Sequence, residues 1–409
     1  MASQFRRLIS DVGTFDITLD RAGLPADAEY GSREFGTIWI TTVWHSEGEA
    51  RNVAVYAGMV KKISKSLDRQ LVQLSGSSLE WHLGTARDIG PVMTGVISLI
   101  GTPNVSVTTA LMWPLVPEPV PFWVPIPYEP DGGRIDNGAP GIVMFSNYQA
   151  LQTRSDYLNI IRDNHPRTEW LVNPRTRKVE FGRPEFLHSE RPVLHQYGDV
   201  DPTIPSVAIE NATLASDWED YFNQVVLMGA NIGLPPATIT QKLQWPFDVS
   251  SPYRLPTGEP MIMVRGEDHG QLSIIGLAAH ANGLLTRGER PQHTFACTVK
   301  HFDPGGPLQP GSLARVWAPD IDMYDPGVTP INFAGEPICP IDLTVTGIEA
   351  DVQAGMGVYW QYGGAGSEVI DLTDFFVPGS DDATLVIGEW RKKNVPRRAQ
   401  RRIQQARYN

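Results

Sequence analysis

Glycine or proline falls at about every sixth position of this 409-residue chain, 38 glycines and 34 prolines in all. Punctuation that dense, against an average combined share of about 12%, suits many short strands joined by turns. Between the breaks lie runs rich in β-branched and aromatic residues. Thr14 to Leu19, Thr37 to Trp44, Asn52 to Ile63 and Arg69 to Ser75 read as the strands of an antiparallel meander. With 41% apolar residues the chain can fill the cores of two or three compact domains, which excludes a disordered or fibrous protein.

Helical spacing is scarce. Ser78 to Thr85, with Leu79 and Leu83 on one face behind a serine cap, Val92 to Ile100, and Ser155 to Asn164 are the clearest cases, and Leu272 to Leu285 is a weak one broken by Gly276 and Gly283. Thr168 to Val172 and Val179 to Gly182 flank an Asn-Pro turn and predict a hairpin, with Arg175, Arg177 and Lys178 solvated at its tip. Val207 to Leu214 and Tyr221 to Met228 read as strands, with a helical turn at Asp217 to Asp220 between them. Thr294 to Val299, Ser312 to Trp317, Ile341 to Glu349, Val358 to Gln361 and Thr384 to Glu389 form a second set of strands.

Pro114 to Pro140 breaks this texture with eight prolines in 27 residues, too many for a helix or a central strand, and is an extended arm. Its Phe122, Trp123 and Tyr128 either pack over the chain's own core or form an exposed binding strip. Ile89 to Pro117 carries no charge, but Pro91, Pro103, Asn104, Pro114 and Pro117 interrupt it, so it reads as buried core plus loop and not as a membrane span.

The formal charge is −12, yet the last 20 residues hold eight Arg or Lys and no acid, which leaves −20 for the rest. An acidic body repels nucleic acid and anionic membrane surfaces, and confines any polyanion contact to the basic tail. Docking of that tail on an acidic partner, or on the body's own acidic surface, is favoured over nucleic-acid contact or a merely solvated end. Cys297 and Cys339 stand 42 apart, which allows neither a disulfide framework nor a four-cysteine zinc site, and both read as buried thiols. The first 20 residues lack the apolar core of a secretory signal, so synthesis and residence in a cytoplasm are expected.

The common nucleotide, dinucleotide, zinc-protease and hydrolase motifs are absent. His269, His280, His293 and His301, with Glu267, Asp268 and Asp303 nearby, fit no metal-ligand spacing. Asp320, Asp322 and Asp325 lie in a Pro-flanked, turn-rich run where aspartate ordinarily accepts hydrogen bonds from neighbouring backbone. No catalytic residue, cofactor or metal is expected.

Five segments in order carry a resemblance: VYAGMVKKISKSLDRQLVQLSGSSLEWHLG from Val55, TEWLVNPRTRKVEFG from Thr168, SDWEDYFNQVVLMG from Ser216, PGSLARVWAPDIDMYD from Pro310 and PICPIDLTVTGIEADVQAGMGVYW from Pro337. Together they resemble minor tail proteins of siphophages that infect actinobacteria, within the wider family of tail-tip or baseplate hub proteins.

The resemblance implies a mainly β chain with some α: two β-barrel-like tube domains with an intervening α/β insertion region. Residues 1–85 correspond to the first tube-type domain, 86–245 to the intervening region with the Pro-rich arm 113–140, 246–389 to the second tube-type domain, and 390–409 to the basic tail. It further implies a homotrimer that caps the tail tube and joins the distal tail protein ring, the tape measure protein and other minor tail proteins. DNA passes transiently through its channel, and no stable membrane insertion is involved. Assembly in the host cytoplasm and residence at the virion tail tip follow.

On this reading Tyr56, Val60, Leu74, Val316, Trp317 and Tyr359 lie in or beside subunit contacts. Arg391, Lys392, Lys393, Arg397, Arg398, Arg401 and Arg402 make the tail's partner contact. Two competing readings are a host cell-wall saccharide-binding module built on the eleven Trp and twelve Tyr, and a hydrolase using a pair among Asp320, Asp322, Asp325, Glu267 and His269.

Overall fold

Strand alternation begins at once in the computed structural model: in β1 (Gln4–Leu8) and β2 (Thr14–Asp20), Phe5, Phe15, Ile17 and Leu19 turn inward. The structure describes residues 2–20, 36–46, 49–66, 70–85, 134–137, 155, 158–159, 161–162, 165, 167–188, 190–196, 206–217, 222, 224–228, 238–242, 256–258, 264–268, 281, 292–318, 341–362 and 369–388. The uncharged stretch 89–117, nearly all of the Pro-rich arm, His269, His280, Asp320, Asp322, Asp325, Cys339 and the basic tail lie outside these residues.

The meander continues through β3 (Gly36–Ser46), β4 (Glu49–Ser66) and β5 (Leu71–Ser78) to α1 (Glu80–Thr85). A hairpin of β6 (Glu169–Val172) and β7 (Val179–Gly182) leads into the single turn α2 (Pro184–Leu187). Then come β8 (Val193–His195), β9 (Ser206–Asp217), β10 (Gln224–Met228), β11 (Thr238–Lys242) and β12 (Val264–Asp268). The remaining strands are β13 (Gln292–Val299), β14 (Leu313–Trp317), β15 (Ile341–Asp351), β16 (Gly357–Tyr362), β17 (Val369–Asp371) and β18 (Ala383–Gly388). The fold is mostly β with few helices.

Thirteen strands share one sheet, in the order β14-β8-β9-β13-β18-β15-β1-β2-β5-β4-β3-β16-β17, and β14 also pairs with β15. That extra pairing closes the first six strands into a barrel. β15 is long enough to do two jobs on one edge: Ile341–Thr344 pair with β14, and Gly347–Asp351 pair with β1.

The rest of the sheet curls back on itself. Phe376 bridges Leu19, the Asp20 amide donates to the Phe375 carbonyl at 2.7 Å, and the Val377 amide donates to the Thr18 carbonyl at 2.8 Å. β2 therefore also splits its length, with Thr14–Asp16 on β1 and Thr18–Asp20 beside residues 375–377. β10, β11 and β12 form a separate three-stranded sheet.

One continuous apolar core runs through the barrel and the curled sheet, from Phe5, Ile17 and Ile40 to Phe295, Val345 and Leu385. Two bulges bend β4, where the register with β3 shifts between Ile40 and Thr41 and the register with β5 shifts between Val60 and Lys62. Gly76 faces the second bulge, and a Cβ there would lie 1.9 Å from the Met59 carbonyl oxygen, so only glycine admits this close backbone approach.

Sequence periodicity located most of the strands, the hairpin and α1, and Leu79 and Leu83 share one apolar cluster as expected. It missed β1, β8, β11, β12, β17 and α2. Asp217, expected in a helical turn, ends β9 instead, paired with Gln292. The described residues of the expected helix 155–164 are helical.

Candidate functional site

Where the curled sheet meets the β6–β7 hairpin, both faces of a strand are buried. Along β3 and β4, Ile38, Ile40, Tyr56 and Val60 face the main core, while Trp39, Ala57 and Met59 face outward. The outward set is covered by Leu79 just before α1 and Leu83 within it, by Leu158 and Ile161, and by Trp170, Val172, Val179 and Phe181 of the hairpin. The hairpin's other face carries Leu171, which packs with Ile9 and Leu187.

That second face also carries charge into the interior. Glu169 is 3% exposed and accepts the Ser10 hydroxyl proton, and the Arg162 guanidinium, 1% exposed, stands 3.8 Å from its carboxylate. Ser10 sits at φ +52°, a turn conformation that lets it also receive the Trp170 amide at 3.1 Å. Glu180 accepts the Asn173 amide at 2.9 Å. Glu80, on α1, accepts the Val172 amide at 3.0 Å and so ties the hairpin to the sheet. Burial pushes the Glu80 carboxyl above its ordinary pKa, against the pull of its hydrogen bonds and of Arg7.

Arg7 crosses the same seam. Its Nη1 donates to the Gln309 side-chain oxygen at 2.5 Å, and burial lowers its pKa to about 10 while Glu80 raises it. His188, whose Nε2 lies 3.3 Å from the Pro310 carbonyl, is pulled down to about 4, first by burial and then by the nearby Arg7 charge. A bidentate pair completes the hairpin's support, with Arg183 Nε and Nη2 on Asp136 at 2.6 and 3.2 Å. Glu80, Glu169 and Asp136 are each held by a donor from another element, while the Asn173 side chain holds Glu180 within the hairpin itself. The arrangement fixes geometry; among the described residues no three His, Cys, Asp or Glu side chains gather around a metal-sized space.

Five of the six residues expected at subunit contacts fill this chain's own interior: Tyr56, Val60, Leu74, Val316 and Trp317 are each 2% exposed or less. Tyr359 is half-buried against the hairpin cluster. Burial raises the Tyr56 phenol well above its ordinary value. The seven basic residues of the tail lie outside the described residues.

Arg177 is not merely solvated, because its guanidinium lies 4.5 Å over the Trp39 ring, which fastens the hairpin tip to β3. The tryptophans bear on the saccharide reading: Trp39, Trp170, Trp317 and Trp360 are buried, and half-buried Trp81 is capped by the Lys61 ammonium at 3.7 Å. None of these five presents an open ring face. Glu267 lies on β12, whereas His269 and the three aspartates of the hydrolase reading lie outside the described residues. His301 is on the surface, paired with Asp381.

Cys297 is buried, and desolvation pushes its thiol up to about 12. Among the described residues no helix is long and apolar enough to cross a membrane.

This architecture has counterparts among solved structures. Prophage tail protein gp18 from Listeria monocytogenes EGD-e aligns with a TM-score of 0.50 and 11% identity, over 96% of this chain and 89% of that one. The chain shares the fold of that prophage tail protein. A tail protein from Neisseria meningitidis MC58 gives a TM-score of 0.49 at 13% identity, over 95% of this chain and 91% of that chain. The 43 kDa tail protein of prophage MuSo2 from Shewanella oneidensis gives 0.45 at 12% identity, over 94% and 92%. No protein-family model matches the chain, and no curated protein does.

Proposed function

We propose that the chain is a structural subunit of a bacteriophage tail, and that it stands at the tail tip as the baseplate hub. The observation that carries this reading is the pairing, in one chain, of a closed six-strand barrel with a continuation of the same sheet that returns on itself. Three copies would then present six ring-forming units, the number that lets a three-fold hub seat on a six-fold distal tail ring. The shared fold with the Listeria prophage tail protein, over nearly the whole of this chain, supports the broader half of the proposal.

The buried seam supports a role performed by shape and not by chemistry, since Glu169 and Glu80 are engaged in docking the hairpin. In this role the trimer caps the tail tube, contacts the tape measure protein and other minor tail proteins, and surrounds the channel through which DNA leaves. The basic tail from Arg391 to Arg402 contacts an acidic partner. Deleting residues 391–409 is expected to leave the fold intact, by circular dichroism, and to lower the yield of assembled tails.

Light scattering on the purified chain across a concentration series tests the ring. A species of three times the 45.2 kDa chain mass, with a central opening in negative-stain images, is the expected result. A strict monomer that joins no ring when mixed with distal tail protein would overturn it.

A further inference from the structure

Basic side chains crowd the turn of the β6–β7 hairpin. Arg175, Arg177 and Lys178 fall within four residues with no acid among them, and both arginines are exposed. Arg177 rests on the Trp39 ring, whereas Arg175 has no carboxylate partner among the described residues. Glu180, on the adjoining strand, is buried and turned onto Asn173. Exposed Arg134, whose Nη1 donates to the Leu187 carbonyl at 3.2 Å, adds to the group. Its field reaches His188, which is lowered first by burial, then by Arg7, Arg134 and Arg175.

Acid gathers where β13 ends and β18 begins. Glu210, Asp303, Asp351, Asp381 and Asp382 stand around this end of the barrel, and the basic side chains beside them, among the described residues, are Lys300 and His301. The Lys300 ammonium is shared, donating to Asp382 at 2.7 Å and lying 3.9 Å from Glu210, and these acids raise its pKa, Asp382 foremost. Asp303 and Asp351 accept the backbone amides of Gly305 and Ser380 at 2.9 and 2.8 Å, which leaves their charge without a base. Glu210 and Asp381 are more than half exposed.

The two groups belong to opposite ends of β1. Gln4, at its start, pairs with Asp351, while the Ser10 amide, past its other end, donates to the Trp170 carbonyl of the hairpin at 2.8 Å. A chain of formal charge −12 repels an extended polyanion, whereas a second copy brings its acid gathered at one place. Each copy thus carries both halves of a contact.

We infer that the basic β6–β7 turn of one copy docks on the acidic end of the barrel, around Glu210, Asp303 and Asp381, of the next, in a head-to-tail contact between copies of this chain. One exposed ion pair contributes little, so the summed field of each group orients the approach, and the contact weakens as salt screens it. Two different surfaces joined in this way close into a ring when the rotation permits. The inference rests on the ring proposed above and names the surfaces that join it.

Carbodiimide cross-linking of the full-length chain, as a mixture of ¹⁴N- and ¹⁵N-labelled copies, tests the contact. Isotope-mixed peptides joining the Lys178 amine to Glu210, Asp303 or Asp381 are expected, and high salt should suppress them. Arg175→Glu, and separately Glu210→Lys with Asp381→Lys, should each weaken association by about tenfold or more in light scattering while circular dichroism and melting temperature are kept. A wild-type oligomer that persists in both variants, or whose isotope-mixed links join Lys178 to other carboxylates, overturns the contact and leaves the ring standing. Loss of the oligomer in one variant alone gives that surface a different partner and overturns the pairing. Retention of a DNA duplex by the wild type and not by Arg175→Glu, with the oligomer unchanged, assigns the turn to nucleic acid and overturns it as well. A wild type that is monomeric at every concentration overturns both the contact and the ring.

Discussion

Replacing Trp317 by alanine separates two uses of an apolar strand residue, as core or as contact. Trp317 ends β14, stands opposite His195 of β8 and is 2% exposed within the single chain. A buried aromatic of this size removes about 150 to 250 Å² from water, worth about 4 to 6 kcal/mol at about 25 cal/mol per Å². Compactness of the unfolded chain reduces that figure by about 10 to 40%, which leaves about 3 to 5 kcal/mol and agrees with measured truncations of buried aromatics. The backbone bond from the Gln196 amide to the Trp317 carbonyl, 3.0 Å, does not depend on the side chain and survives.

Against a total stability of about 5 to 15 kcal/mol, the loss is large. It should appear in urea unfolding, followed by circular dichroism, and should not vary with protein concentration. Trp317→Phe should recover most of it. An unfolding free energy unchanged within about 0.5 kcal/mol, together with loss of the oligomer, would refute the reasoning, because Trp317 would then spend its apolar area on another copy.

Removing one member of the buried pair should cost more than removing both: Arg162→Ala is expected to destabilise by about 3 to 5 kcal/mol, and Arg162→Met with Glu169→Gln by much less, read from the same urea curves. Gly76→Ala must displace backbone at the β4 bulge, so its soluble yield and melting temperature should both fall, while Gly258→Ala, with open space around it despite φ +86°, should change them less. His188 has a folded pKa near 4 against an ordinary 6.5, so its contribution to stability is fully present above about pH 6.5 and lost as the pH falls toward 4. That contribution is at most about 3 kcal/mol, and His188→Gln should flatten the stability profile of the chain across this interval and leave it unchanged above pH 7; identical slopes in both proteins would exclude the effect.

Strands that alternate were legible because one face is wet and one is dry. In β18, Ala383, Leu385 and Ile387 are buried and Thr384 is exposed, and a period of two is visible in the letters alone. β1 was not legible, because QFRRL has a single large aromatic and two arginines. Its strand character comes from pairing with β2 on one edge and with β15, more than 300 residues away, on the other. β8 is three residues long behind Pro192 and is held only by parallel partners on either side.

The buried seam was hidden for a related reason: Glu80, Glu169 and Arg162 look like ordinary surface charges until the hairpin is placed over them. One signal was available. Glu169 and Glu180 sit in otherwise apolar four-residue strands, EWLV and VEFG, where a strand with one solvated face would show regular alternation.

The interface expectation shows why contact residues are harder to read than core residues. Apolar β-branched and aromatic positions have the same signature whether they face a barrel interior or a partner, and in a chain that closes its own barrel the interior claims them first. Tyr56, Val60, Leu74, Val316 and Trp317 carry that signature and are buried in the chain's own interior.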